Sequence, residues 1–261
     1  MPIVSTFCKK GGVGKTTLLG YLAHYHATQG KTVLVISVDD QNSIFKLFGK
    51  EGFIDERQDN YFEHLLAGQT PREDIVCEAR DGMYIIKTLN TDTLSLNLTL
   101  QRPQEKKLRA LIEDFKQYFD YIFIDFPPSS SRLTEILLDI SENIILVVGL
   151  DTLGLDGFKN TIQYFVDSDI DLSKISHIIP NNYNPIKKTP KQCLEELKKQ
   201  AKMYTPEAKI TTPMNELAII KNLQAEGISL FDEHDMGNRF HNKNRARAIK
   251  ELEELYKSIE L

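Results

Sequence analysis

Residues 8–17 read CKKGGVGKTT, three lysines and three glycines within ten positions. Gly11, Gly12 and Gly14 let the backbone wrap tightly, with Val13 and Thr17 completing the turn, and its N–H groups point inward. Upstream, PIVSTFC (2–8) is a short apolar run rich in β-branched residues and predicts a buried strand. Downstream, TTLLGYLAHYHATQG (16–30) carries apolar residues at 18, 19, 22 and 23 and stops at Gly30, which predicts a helix. A strand, a glycine-rich turn and a helix N-terminus in that order make a phosphate loop, because free N–H groups and the helix dipole favour an anion. Lys15 then reaches the β- and γ-phosphates of a nucleotide, and the Thr16 hydroxyl ligates Mg²⁺. The loop departs from the general pattern G-x-x-x-x-G-K-[ST], because Lys9 stands where the first glycine belongs. The pattern that stands is K-G-G-x-G-K-T from Lys10, and Lys9 and Lys10 add positive charge beside a pocket already served by Lys15.

A triphosphate site also needs carboxylates near Mg²⁺ and a group to orient the attacking water. Two predicted strand ends provide them. FDYIFIDFPPSS (119–130) is an apolar strand that ends in Asp125 before two prolines force a turn, the place for a Mg²⁺-water contact. VLVISVDDQNS (33–43) ends in Asp39 and Asp40, and spacing alone does not choose between them.

The elements that must position these groups alternate along the chain. Strand-like runs stand at 32–38, 83–87, 121–125, 144–150 and 175–180, and helix-like segments at 104–118, 132–141, 155–167 and 190–204. Near-continuous apolar strands between helices predict an α/β fold with a mostly parallel, twisted sheet covered on both faces. The ligand of such a sheet sits outside the strands' carboxyl ends, where the phosphate loop also lies. Region 44–80 shows no clear strand and reads as helical excursions. With no repeat, low-complexity tract or Pro/Gly linker, the 261 residues read as one domain, 1–261. Hydrophobic content of 41% and charged content of 26% are ordinary for a soluble globular chain. The longest clean apolar run, IILVV (144–148), is far too short to span a bilayer, and no signal segment is visible, so the expected place is the cytoplasm. Cys8, Cys77 and Cys193 are scattered and odd in number, which argues against a disulfide or metal framework.

KGGVGKTT (10–17), SVDDQNS (37–43) and YIFIDFPPSS (121–130), in that order, resemble the ParA/MinD family of deviant Walker A ATPases. The ParA branch, which partitions plasmids and chromosomes, is the nearer one. The resemblance implies a P-loop NTPase fold over nearly the whole chain and weak, Mg²⁺-dependent, partner-stimulated ATP hydrolysis. Family members commonly carry D-x-D-P-Q after the second strand, and Ser37, Asp39, Asp40 and Gln41 hold that register. The match makes Asp39 the water-orienting residue beside the metal, puts Asp40 in the place of proline and replaces the first aspartate by Ser37. GLDTLGLDGFKN (149–160) resembles the segment where ParA proteins space acidic residues as Asp151 and Asp156 are spaced, a dimer and switch region. IIPNNYNPIKKT (178–189) resembles the strand-to-loop region that holds adenine, with Asn181 or Asn182 as the contact. In the family the first lysine of K-G-G-x-G-K-T crosses a dimer interface to the partner's nucleotide, and Lys10 takes that place. A cation given in trans neutralises triphosphate charge much as an arginine finger does. It also ties dimerisation to ATP, since two such lysines facing empty sites repel. Lys9 matches no family requirement.

The implied function is a monomer that ATP turns into a sandwich homodimer, which binds DNA without sequence preference at the nucleoid. A ParB-like centromere or cargo adaptor then stimulates hydrolysis and release. Some ParA proteins carry an N-terminal helix-turn-helix domain; this sequence opens at strand one, and none is expected. A MinD-like membrane positioner is the main rival, and it wants a basic, strongly apolar amphipathic helix near the C-terminus. The stretch 249–261 is amphipathic, but Glu251, Glu253, Glu254 and Glu260 would be repelled by anionic lipid, so packing on the domain is expected. A metabolic ligase on the same scaffold would need a substrate pocket, and no constellation of His, Lys or Ser suggests one.

Net charge is −5, so any DNA-binding surface must be local. From Arg239 to Lys250 there are five basic residues and no acidic one. On a helix, Arg239, Lys243, Arg247 and Lys250 share one narrow face, with Arg245 away from it. Lys187, Lys188 and Lys191 form a second, more diluted cluster.

Overall fold

The computed structural model describes residues 2–56, 59–216, 218–235, 237, 239–259 and 261. β1 (Ile3–Phe7) leads through the glycine-rich loop into α1 (Lys15–Thr28), and β2 (Val33–Ser37) follows. Four short helices come next: α2 (Ser43–Leu47), α3 (Glu51–Glu56), α4 (Phe62–Ala67) and α5 (Arg72–Ile75). β3 (Cys77–Arg80) and β4 (Met83–Ile86) form a hairpin, followed by α6 (Thr91–Leu100), α7 (Arg102–Phe115) and β5 (Tyr121–Asp125). The remaining elements are α8 (Arg132–Ile140), β6 (Asn143–Gly149), α9 (Thr152–Asp167), β7 (Ile175–Asn181), α10 (Lys188–Tyr204), β8 (Lys209–Ile210), α11 (Ala218–Ala225) and α12 (Arg239–Ser258).

The strands make one sheet in the order β3-β4-β2-β5-β1-β6-β7-β8. Every neighbouring pair is parallel except β3 with β4. All five residues of β1 and of β2 are buried, as a sheet covered on both sides requires. Ile3 and Phe7 point to the core under α4 and α6–α10, while Val4 and Cys8 point to the core under α1, α2, α11 and α12. The chain moves from β1 outward to β2 and later crosses back over β1 to β6, so the strand order reverses at β1. A crevice opens at the carboxyl ends of such a reversal, and the glycine-rich loop lies there.

One expectation is corrected. Region 44–80 holds the helices it predicts but ends in strand β3. CEAR is only four residues long, with Glu78 and Arg80 turned from the core, so its apolar signal is slight. Its partner is set by the Asp81–Gly82 turn, where Gly82 has φ +71°. Arg80 then donates to both carboxylate oxygens of Asp232, at 2.6 and 2.7 Å.

Along α12, Leu252, Leu255 and Tyr256 are buried against α1, and the Tyr256 hydroxyl donates to the Leu18 carbonyl at 2.9 Å. The apolar side of this helix is spent on the phosphate-loop helix. Among the described residues no helix is long and apolar enough to cross a membrane. Cys8, Cys77 and Cys193 are buried.

Candidate nucleotide site

The loop between β1 and α1 is shaped by Gly14, which caps α1 with φ +96° and offers no side-chain acceptor to the helix's first N–H groups. Those groups are left for an anion. A Cβ on Gly14 would stand 2.5 Å from Asn181 Nδ2, so glycine is required twice over, by conformation and by space. That Asn181 amide donates to the Val13 carbonyl at 2.8 Å, and the end of β7 thereby clamps the loop. Lys15 is buried, and its Nζ donates to the carbonyls of Cys8 and Lys10, each at 3.2 Å. Burial pulls the Lys15 pKa down, against the pull of Cys8, Asp125 and Asp39. A desolvated ammonium of this kind gains most when triphosphate oxygens replace the carbonyls.

Thr16 Oγ1 donates to Asp125 Oδ1 at 3.0 Å, joining the start of α1 to the end of β5. Asp125 is fully buried, and among the described residues its Oδ2 has no hydrogen-bond partner. Burial pushes its pKa from 3.8 to about 7; Asp39 pushes the same way, while the Thr16 hydroxyl and Lys15 pull it back. A hydroxyl and a buried carboxylate with one orphaned oxygen are hard oxygen donors, and they fit Mg²⁺.

β2 pairs with β5 so that Ser37 stands beside Asp125, which places the chain just beyond Ser37 over the same pocket. Asp39 is half-buried there, and its charge acts on both Asp125 and Lys15. Its Oδ1 accepts from the Gln41 N–H at 3.0 Å. Asp40 is exposed; its carboxylate accepts from the Gln41 side chain at 3.2 Å and its carbonyl from the Asn42 side-chain amide at 3.0 Å. Of the two candidates, Asp39 faces the loop. Asn42 fixes this segment: it adopts φ +45°, donates to the Thr88 carbonyl at 2.8 Å and accepts from the Thr88 N–H at 3.1 Å.

The other lysines separate. Lys10 passes over Gly157 of α9, where a Cβ would stand 2.7 Å from the Lys10 Cβ. Among the described residues the Lys10 ammonium has no hydrogen-bond or ion-pair partner. Lys9 turns from the loop instead: its N–H donates to Thr161 Oγ1 at 2.9 Å, its Nζ to Ser130 Oγ at 2.5 Å, and the ammonium lies 4.7 Å from the Tyr164 ring centre. The side chain expected to add charge to the phosphate pocket is thus occupied by α9 and the loop after β5. Asp151 caps α9, accepting from the Gly154 N–H at 2.6 Å, and Asp156 is exposed one turn further on.

Beside the loop is a cavity of 170 Å³ whose walls include Gly14, Asn181, Asn182, Met214, Asn215 and Ile220. Asn182 is exposed with φ +59° and lines it, while Asn181 is committed to the loop carbonyl. Sequence reasoning missed the wall made by Met214, Asn215 and Ile220, which carries no motif. It also missed Gly157, Asn42 and Thr88, whose roles exist only once distant segments meet.

The basic residues of α12 lie where helical spacing predicts. Arg239, Lys243, Arg247 and Lys250 are exposed, and the first three have no carboxylate partner among the described residues. Lys250 Nζ is 3.8 Å from Glu254. Arg245 points the other way and donates to the Leu230 and His234 carbonyls at 2.8 Å and to that of Asp232.

This sheet, loop and carboxylate set define a P-loop ATPase. A family described as an AAA domain matches residues 1–176. The cell division protein PomZ of Myxococcus xanthus is 27% identical over 227 residues, covering 85% of this chain and 69% of that protein. The chromosome-partitioning ATPase Soj of Thermus thermophilus is 32% identical over 149 residues, covering 57% of this chain and 55% of that one. Among solved structures, an ATP complex of Cyanothece McdA shares the fold with a TM-score of 0.78 at 19% identity, covering 100% of this chain and 98% of that one. The chain belongs to the ParA/MinD family of P-loop ATPases. Solved members of this fold hold ATP or ADP, some with magnesium.

Proposed function

We propose that the 261 residues form one ParA-like partition ATPase domain working at the nucleoid in the cytoplasm. ATP closes two copies into a sandwich dimer, the dimer binds DNA without sequence preference, and a ParB-like adaptor stimulates hydrolysis and release. The observation that carries this reading is Lys10, a cation at the mouth of a phosphate loop with no partner among the described residues of its own chain. Such a group is free to meet the triphosphate of a second copy, with Asp151 and Asp156 on the adjoining start of α9.

Within one copy, the N–H groups of the loop and of the first turn of α1 cradle the phosphates. Lys15 exchanges the Cys8 and Lys10 carbonyls for β- and γ-oxygens. Thr16 and Asp125 would hold Mg²⁺ with Asp39 beside them, and the ion's charge offsets that of the triphosphate. Asp39 orients the attacking water, and the base lies against Asn182, Met214 and Ile220. Loss of the γ-phosphate removes what the two Lys10 side chains share, so the dimer opens. The apolar side of α12 is packed on α1, which favours this reading over a membrane positioner.

A DNA titration with ATP, with ADP and without nucleotide, at several salt concentrations, tests the proposal. Binding is expected only with ATP and falls steeply as salt rises. Equal binding in all three states contradicts it.

A further inference from the structure

The segment 214–216 is a wall with a cavity on each side. On one side is the 170 Å³ cavity beside the phosphate loop. On the other, a cavity of 300 Å³ is lined by the same Asn215 and Glu216 together with Phe240, Asn244 and Arg247 of α12. The wall is strapped from both directions. Toward β7, the Met214 N–H donates to the Pro180 carbonyl at 2.8 Å, the Tyr183 N–H to the Met214 carbonyl at 2.8 Å, and the Glu216 N–H to the Tyr183 carbonyl at 3.2 Å. Toward α12, one oxygen of Glu251 accepts from the Asn215 N–H at 2.8 Å and from the Asn215 side-chain amide at 2.9 Å.

Glu251 differs from its neighbours on the helix. Glu253 and Glu254 make surface pairs one turn along, with Lys257 at 3.4 Å and Lys250 at 3.8 Å. Such pairs contribute little. Glu251 is half-buried, has no ion-pair partner among the described residues, and gives its charge to two N–H groups of the wall. Hydrogen bonds to an ionised acceptor are about twice as strong as neutral ones.

We propose that Glu251 is a positioning residue of the nucleotide site: it holds Asn215, and with it the base-side wall, from the helix that carries the basic face. A wall that has one position with nucleotide and another without therefore moves against α12. The nucleotide part of this claim rests on the proposed placing of the base in the cavity beside the loop, and its extension to DNA on the reading of α12 as the DNA face. Linkage makes the extension reciprocal, so DNA that fixes α12 tightens nucleotide by the factor by which nucleotide tightens DNA.

The experiment titrates fluorescent ATP and ADP analogues into wild type, Glu251→Gln and Glu251→Ala, with and without a short DNA duplex, and records apo melting temperatures alongside. Glutamine keeps an oxygen that accepts both N–H groups, so Glu251→Gln is expected to bind within about twofold of wild type. Glu251→Ala is expected to bind both analogues about tenfold more weakly, ADP as much as ATP, because the base side does not see the γ-phosphate. Equal affinity in wild type and Glu251→Ala overturns the assignment. Should the alanine variant fail to fold, hydrogen exchange on wild type decides: added nucleotide must slow exchange at the Asn215 amide and along the first turns of α12, and unchanged exchange there overturns the claim. In the DNA arm, duplex is expected to tighten binding of the ATP analogue in wild type and not in Glu251→Ala. A wild type that binds no DNA removes the DNA reading alone and leaves the nucleotide arm to judge Glu251.

Discussion

Asp125 is fully buried, keeps one oxygen without a partner among the described residues, and has its pKa pushed up to about 7 by burial. Its folded value lies above the unfolded one, so the folded state holds the proton more tightly. Without nucleotide, stability due to this group therefore falls as pH rises from about 4 to about 7 and is level above that. A shift of this size corresponds to roughly 4 kcal/mol at most. Asp125→Asn should accordingly raise the apo melting temperature at pH 8, by about 2–4 °C for each kcal/mol relieved. It should also lose the extra stabilisation that MgATP gives wild type. Thermal scans in EDTA and in MgATP check both statements, and an apo protein melting at or below wild type contradicts the first. Asp39 calls for a kinetic test. Asp39→Ala should keep ATP binding and slow hydrolysis about 10²–10⁴-fold, because orienting water matters in the transition state. Asp40→Ala, changed at an exposed position, should turn over like wild type; the reverse ranking in a phosphate-release assay shifts the register by one. At this scale the loop and Asp125 were legible because strand, glycines and lysine are contiguous. The choice of Asp39 came from resemblance; in the structure its charge acts on both Lys15 and Asp125. The orientation of Lys9 was not legible, since Thr161, Ser130 and Tyr164 come from segments far along the chain.

Helix α12 joins two tasks on opposite sides, an apolar side packed on α1 and an exposed basic side. If the basic side is the DNA face, Lys243→Ala/Arg247→Ala should weaken DNA binding across all sequences. It should also flatten the salt dependence by about one unit of slope for each phosphate that is no longer neutralised. Arg245→Ala should behave differently. Arg245 holds three carbonyls of the 230–234 segment, so its loss lowers the melting temperature and leaves the salt slope unchanged. DNA titrations at several salts, beside thermal scans, separate the two effects; an unaltered affinity and slope in the double variant removes this helix as the DNA face. The helix could be read ahead of the structure because its charges and apolar residues keep a regular period over twenty residues. β3 could not: four residues with two polar ones give almost no period, and only the Asp-Gly turn marks the hairpin. The wall at 214–216 had no local signal either, because its meaning lies in contacts from β7 and α12.

The whole molecule is an acidic chain of net charge −5 whose 32 lysines and arginines are spread along it, with local clusters at the phosphate loop, on one side of α12 and at Lys187, Lys188 and Lys191. The parallel sheet was legible because buried strands of this kind are apolar almost throughout, and alternation with helices leaves few topologies. Oligomeric state is a different matter, since nothing in a single chain's period or composition records a second copy. What points to one is local: a lysine beside the loop without a partner among the described residues, and an α9 glycine that lets its stem pass. The most direct measurement is therefore the molar mass by light scattering of Asp39→Ala and of Lys10→Ala/Asp39→Ala, each with and without ATP, in a background where ATP is consumed slowly. Asp39→Ala should double its mass on adding ATP, while the protein lacking Lys10 should bind a fluorescent ATP analogue and stay monomeric. A Lys10→Ala/Asp39→Ala protein that doubles its mass with ATP as Asp39→Ala does would contradict the account.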